Sequence, residues 1–81
     1  MKVKMIYIDI EATGENIKEF LVQNHITPKD VAKECGFTTC NTVYKWFRGE
    51  SLPSIDSLVI IADMIGVPID NLLVVVKSDR K

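Results

Sequence analysis

TPKDVAKECGFTTCNTVYKWFRG, Thr27 to Gly49, is the stretch that decides the fold. It opens with Thr27, Pro28 and Asp30. These supply a side-chain acceptor for an orphan helix N–H, a residue whose fixed φ suits the first helical position, and an acid near the positive end of the helix dipole. Val31, Ala32 and Cys35 then fall on one face, and Gly36 stands where a helix can end in a left-handed residue. A helix over about 28–35 follows from this pattern. Thr38 or Thr39 can cap the next helix, expected over about 39–48, where Val43, Trp46 and Phe47 form an i, i+3, i+4 apolar stripe before Gly49. The opposite stripe is Asn41, Tyr44, Lys45 and Arg48, and no acid stands between Glu34 and Glu50.

Working outward, Thr13 can cap a first helix whose apolar positions are Ile17, Phe20 and Leu21, ending near Asn24. On the other side, SLPSID breaks the chain. Ser54 caps a fourth helix with Ile55, Leu58, Val59, Ala62 and Ile65 as its inward face and Gly66 as its stop. Pro68 starts a short fifth helix carrying Ile69, Leu72 and Leu73. The two ends, residues 3–10 and 73–76, are rich in β-branched residues and read as strands that can pair with each other. The expected fold is therefore all-α, five helices in one domain over residues 1–81 with its core in 13–73, and a small two-stranded sheet made by the ends.

Composition bounds the function. At 81 residues, 47% hydrophobic and 26% charged, the chain suits one globular domain with a small core. Its longest apolar region, Leu58 to Val76, is interrupted by Asp63, Pro68, Asp70 and Asn71, which argues against a membrane span and, with no cleavage signal near the start, makes the cytoplasm the expected compartment. Cys35, Cys40 and the single His25 match neither a redox pair nor a zinc spacing, so free thiols and no cofactor or metal are expected. His25 reads as a solvent-edge residue. No acid, base or nucleophile constellation points to an enzyme.

The formal charge of -1 hides an asymmetry: residues 27–49 carry +2 and residues 50–73 carry -4. Screening confines exposed charges to a Debye length of about 8 Å, so the acids of the fourth helix need not cancel Lys45. Two helices joined by a tight turn, the second with a polar, acid-free outer face, is the helix-turn-helix pattern, whose second helix enters the major groove of DNA. Phosphates would repel an acid placed there.

Residues 16–73, and above all VYKWFRGESLPSID with GFTT before it and VPIDNLL after it, resemble the XRE family, the lambda-repressor and Cro type, among the small bacterial regulators. The resemblance implies a five-helix domain with Val31, Ala32, Val43, Trp46, Leu58 and Leu72 in the core, a third helix that reads double-stranded DNA, transcriptional regulation, and a homodimer. Its base-reading positions fall on Cys40, Asn41 and Lys45, with Thr39, Thr42 and Tyr44 beside them. Asn41 suits adenine and Lys45 suits guanine. Thr27, Lys29, Arg48, Ser51 and Ser54, at helix starts or in the loop after the reader helix, are phosphate candidates. Three features depart from the family pattern: Pro28 stands where Gln is common, Phe47 stands where many members have Glu, and the turn before Val43 is one residue longer than the commonest form. The competing reading is a protein-interaction module, antitoxin-like or adaptor, supported by the apolar ends, whose strand edges can recruit a partner.

Overall fold

A computed structural model describes residues 3–80. The order is strand β1 (Val3–Ile8), helices α1 (Ile10–Gln23), α2 (Pro28–Cys35), α3 (Asn41–Phe47) and α4 (Ile55–Ile65), a 3-10 turn at Ile69–Asn71, and strand β2 (Val75–Arg80). The architecture is thus four α-helices and one antiparallel two-stranded sheet. The fifth helix expected from Pro68 is a single 3-10 turn, because Leu72 and Leu73 close i+3 bonds back to Ile69 and Asp70 and the chain then extends.

Helix α2 forms as its sequence dictates. The Thr27 hydroxyl accepts from the Asp30 N–H at 3.1 Å, and the Asp30 carboxylate accepts from the Thr27 N–H at 3.0 Å, a complete capping box. Gly36, at φ 78°, ends the helix and sends the Phe37 N–H back to the Ala32 carbonyl at 2.8 Å. Ser54 caps α4 by accepting from the Ser57 N–H at 3.1 Å, and Gly66 stops it at φ 86°.

Three expectations are corrected. Asp9, not Thr13, caps α1, accepting from the Ala12 N–H at 3.0 Å. Ile10 is therefore helical, and Thr13, fully buried, uses its hydroxyl to accept from the Val74 N–H at 2.9 Å. Here tertiary contact overrides the β-propensity of Ile10. The second strand begins at Val75 rather than Leu73, because the Val74 carbonyl and N–H are engaged by the Asp9 N–H and Thr13. In α4 the buried face is Ser57, Leu58, Ile61 and Ala62, while Ile55 is 77% and Val59 50% exposed. With apolar residues on nearly every side of α4, periodicity alone does not fix which stripe faces inward.

The buried side chains form one cluster, in which Ile17, Leu21, Val31, Val43, Trp46, Leu58, Ile61 and Leu72 interlock. Trp46 sits at its centre on α3, 2% exposed, with the Phe37 ring edge-on at 5.9 Å between centroids. Gly14 lets α1 lie directly on the end of α3: a Cβ there would stand 2.0 Å from the Trp46 carbonyl oxygen. Asn16 ties α1 to the 3-10 turn by donating to the Asn71 and Leu72 carbonyls at 2.8 and 3.1 Å. These contacts fix the position of α3 relative to the rest of the body.

Candidate nucleic-acid interface

Helix α3 is shorter than its pattern suggested. Its first residue is Asn41, because Cys40 offers no capping acceptor and the Thr39 hydroxyl instead accepts from the Asn41 N–H at 3.3 Å. Residues Thr38 to Cys40 form a bend leading in, and Arg48 is the C-cap. Val43 and Trp46 hold one face in the core, so Asn41, Thr42, Tyr44, Lys45 and Arg48 all emerge on the other and are exposed. Of the six candidate base readers, Thr39, Asn41, Thr42, Tyr44 and Lys45 are solvent-accessible, and Cys40 is half-buried beside Phe37 in the turn between α2 and α3.

The phosphate candidates divide by what their groups already do. Ser54 is committed, accepting from the Ser57 N–H and donating to the Ser57 hydroxyl at 3.1 Å. The Thr27 oxygen caps α2, but its hydroxyl proton is left to donate. The start of α2 is a reduced anion site: Pro28 has no N–H, and the N–H groups of Thr27 and Asp30 are taken within the capping box. Those bonds hold the Asp30 carboxyl below its ordinary value of 3.8, with the Thr27 backbone N–H the largest cause. What remains for a phosphate there is the exposed Lys29 and the Thr27 hydroxyl proton. Ser51 is half-buried in the loop after α3.

Arg48 is paired with Glu50, two residues on, and both side chains are about half exposed. The pairing raises the Arg48 pKa and lowers that of Glu50, the side-chain hydrogen bond being the largest cause for each. The sequence places Arg48 among the phosphate candidates and does not reveal this pairing. Gly49, at φ 75°, folds the chain back so that residues 48 and 50 meet, and Arg-Gly-Glu was the only local sign. Among the described residues, Lys29, Lys33 and Lys45 make no ion pair.

Phe47 explains its own departure from the family pattern. It is half-buried on the seam between α1 and α3, edge-on to Tyr44 with centroids 6.0 Å apart, and the Lys18 ammonium lies 6.0 Å from its ring centroid. Tyr44 is therefore oriented by Phe47, and its outer edge is the part left for a partner. Lys18 adds a cation beside α3 that sequence reading did not assign.

Two packed helices with a short turn, the second projecting a polar, acid-free face, define a helix-turn-helix domain. A profile of the helix-turn-helix family matches residues 17–72, and the chain belongs to this family, of the XRE type. No curated protein matches the sequence. Among solved structures, the DNA-binding domain of BldD is 21% identical with a TM-score of 0.65, covering 82% of this chain and 94% of its own. The restriction-modification controller protein C.AhdI from Aeromonas hydrophila is 17% identical with a TM-score of 0.69, covering 79% and 96%. HppE, in its apo form, is 25% identical with a TM-score of 0.70, but the match covers 82% of this chain and only 36% of that one. The fold is one that the DNA-binding domain of BldD and C.AhdI share. No described helix is long and apolar enough to cross a membrane.

Proposed function

We propose that this chain is a sequence-specific DNA-binding transcription regulator that inserts α3 into the major groove and acts as a homodimer. The observation that carries the reading is the outer face of α3: five exposed side chains able to donate, accept or stack, with no acid among them, held in place by Trp46 and by the close approach of α1 at Gly14. Asn41 and Lys45 are the principal base readers, addressing adenine N6/N7 and guanine O6/N7. Thr39, Thr42 and Tyr44 line the same face, and Cys40 contributes from its edge. Lys29, Thr27 and Ser51 position the domain on phosphates, joined by Arg48 once it leaves Glu50; Ser54 acts through the start of α4.

Selection of bound sequences from a random duplex pool tests the proposal. A single recovered motif is expected, with affinity falling steeply as salt rises. Lys45→Ala should then weaken the selected site by about 1–3 kcal/mol and relax one base position. Wild-type affinity and preference in that variant would refute the assignment. The rival reading, a protein-interaction module, draws on the exposed apolar residues of β1, and it predicts a partner whose binding barely responds to salt.

A further inference from the structure

The sheet stands apart from the helical core. Among the described residues each strand has the other as its only neighbour in the sheet, and the described chain measures 48 × 23 × 20 Å, elongated for its size. A two-stranded sheet alone is marginal in water. This one also exposes apolar side chains on both faces: Met5 40%, Ile6 60%, Tyr7 53% and Val75 45%.

The ladder shows which backbone groups are unused. The register pairs Ile8 with Val75, Tyr7 with Val76, Ile6 with Lys77 and Met5 with Ser78, and one step further the Asp9 N–H donates to the Val74 carbonyl at 2.8 Å. Bonded and non-bonded pairs alternate in an antiparallel ladder. Asp9–Val74, Tyr7–Val76 and Met5–Ser78 are therefore the bonded pairs, and the N–H and C=O of Ile6 and Ile8 on β1, and of Val75 and Lys77 on β2, point away from the sheet.

The two outer edges differ in what they would accept. Edge strands are ordinarily protected by charge. Strand β2 has Lys77, Asp79 and Arg80, whereas β1 has Lys4 alone among six residues. A symmetric pairing of β2 with its own copy centred on Lys77 places like charges opposite each other, which is destabilising, and one centred on Ser78 matches Lys77 with Asp79 but sets no two apolar residues opposite each other. The same operation on β1 centred on Ile6 places Ile6 opposite Ile6 and Lys4 opposite Ile8, with no like charges facing. A two-fold axis through Ile6 closes the assembly after two chains, and the charged β2 strands become its outer edges.

We infer that the outer edge of β1 is the site at which a second copy of this chain docks, giving a continuous four-stranded antiparallel sheet β2–β1–β1–β2 with Ile6 on the two-fold axis. Met5 and Tyr7 of the two copies then share one face, and Ile6 and Ile8 the other, so apolar groups now in water gain neighbours. The inference rests on the homodimer reading above and names its surface.

The test is sedimentation equilibrium of the full chain without DNA, so that its result does not depend on the DNA reading. The wild type should sediment at twice its 9.1 kDa mass. Ile6→Pro removes an outward N–H without touching a β1–β2 bond and should halve the mass, while the control Lys77→Pro, which removes the matching donor on β2, should not. A monomeric wild type overturns the dimer itself. An Ile6→Pro chain that stays dimeric, or a Lys77→Pro chain that falls apart equally, overturns the β1 edge. Should Ile6→Pro fail to fold, amide exchange on the wild type decides: slow exchange at Ile6 and Ile8 with fast exchange at Lys77 supports the inference, and fast exchange at all three refutes it.

Discussion

Gly14→Ala offers the sharpest test of how α3 is held. In an exposed helix interior, replacing Gly by Ala stabilises by about 1 kcal/mol, because the backbone loses less freedom on folding. At residue 14 the new Cβ would lie 2.0 Å from the Trp46 carbonyl oxygen and 3.0 Å from its carbonyl carbon, where real Cβ contacts essentially never fall below 3.0 Å. The two helices must separate by about 1 Å, and the obstacle is backbone, so no side-chain rotation relieves it. That same carbonyl accepts from the Gly49 N–H at 3.1 Å, so the shift also disturbs the turn that positions Arg48 and Glu50. Overpacking of this kind costs about 1–3 kcal/mol. Taking the upper end and subtracting the gain in helix propensity leaves a net loss of about 2 kcal/mol. For a domain of this size each kcal/mol moves the melting midpoint by about 4–8 °C, so Tm should fall by about 8–16 °C. Thermal unfolding followed by circular dichroism reads this directly. A midpoint unchanged or raised would mean that α1 does not rest on α3 at Gly14.

Three further outcomes follow from the geometry. Trp46→Ala should cost about 3–5 kcal/mol, a large share of the stability of so small a domain, and a melting midpoint equal to wild type would place Trp46 outside the core. Glu50→Gln should release Arg48 and raise affinity for duplexes of any sequence, while Arg48→Ala should make the slope of log K against log salt shallower by about 0.9 if Arg48 neutralises one phosphate; an Arg48→Ala slope equal to wild type would mean that Arg48 makes no phosphate contact. Asp30 has its pKa lowered by folding, so its contribution to stability is full above 3.8 and is lost as pH falls through its lower folded value. An NMR titration of the Asp30 carboxyl should therefore show a midpoint below 3.8, and one at or above 3.8 would contradict the capping box.

The sequence by itself determined the elements whose signals are local. Thr27, Pro28 and Asp30 start α2 and Gly36 ends it, while Ser54 and Gly66 bound α4. Each cap is a bond between residues no more than a few positions apart, or a φ that few side chains tolerate. The outer face of α3 was legible for a related reason: Val43 and Trp46 sit three residues apart and leave only one side for Asn41, Tyr44 and Lys45. Tertiary structure decided the rest. Both Asp9 and Thr13 are chemically able to cap α1, and the choice fell to Asp9 because Thr13 is drawn inside to accept from Val74, sixty-one residues away. Helix α4 is apolar almost all round, so only contact with the core selects Ser57, Leu58, Ile61 and Ala62 over Ile55 and Val59. The pairing of Arg48 with Glu50 depends on the left-handed turn at Gly49, and the role of Gly14 depends on where a carbonyl of another helix lies. Local chemistry sets where helices begin and end; which of their faces meet is a property of the whole packed chain, because burial rewards contacts between residues whose separation in sequence carries no pattern.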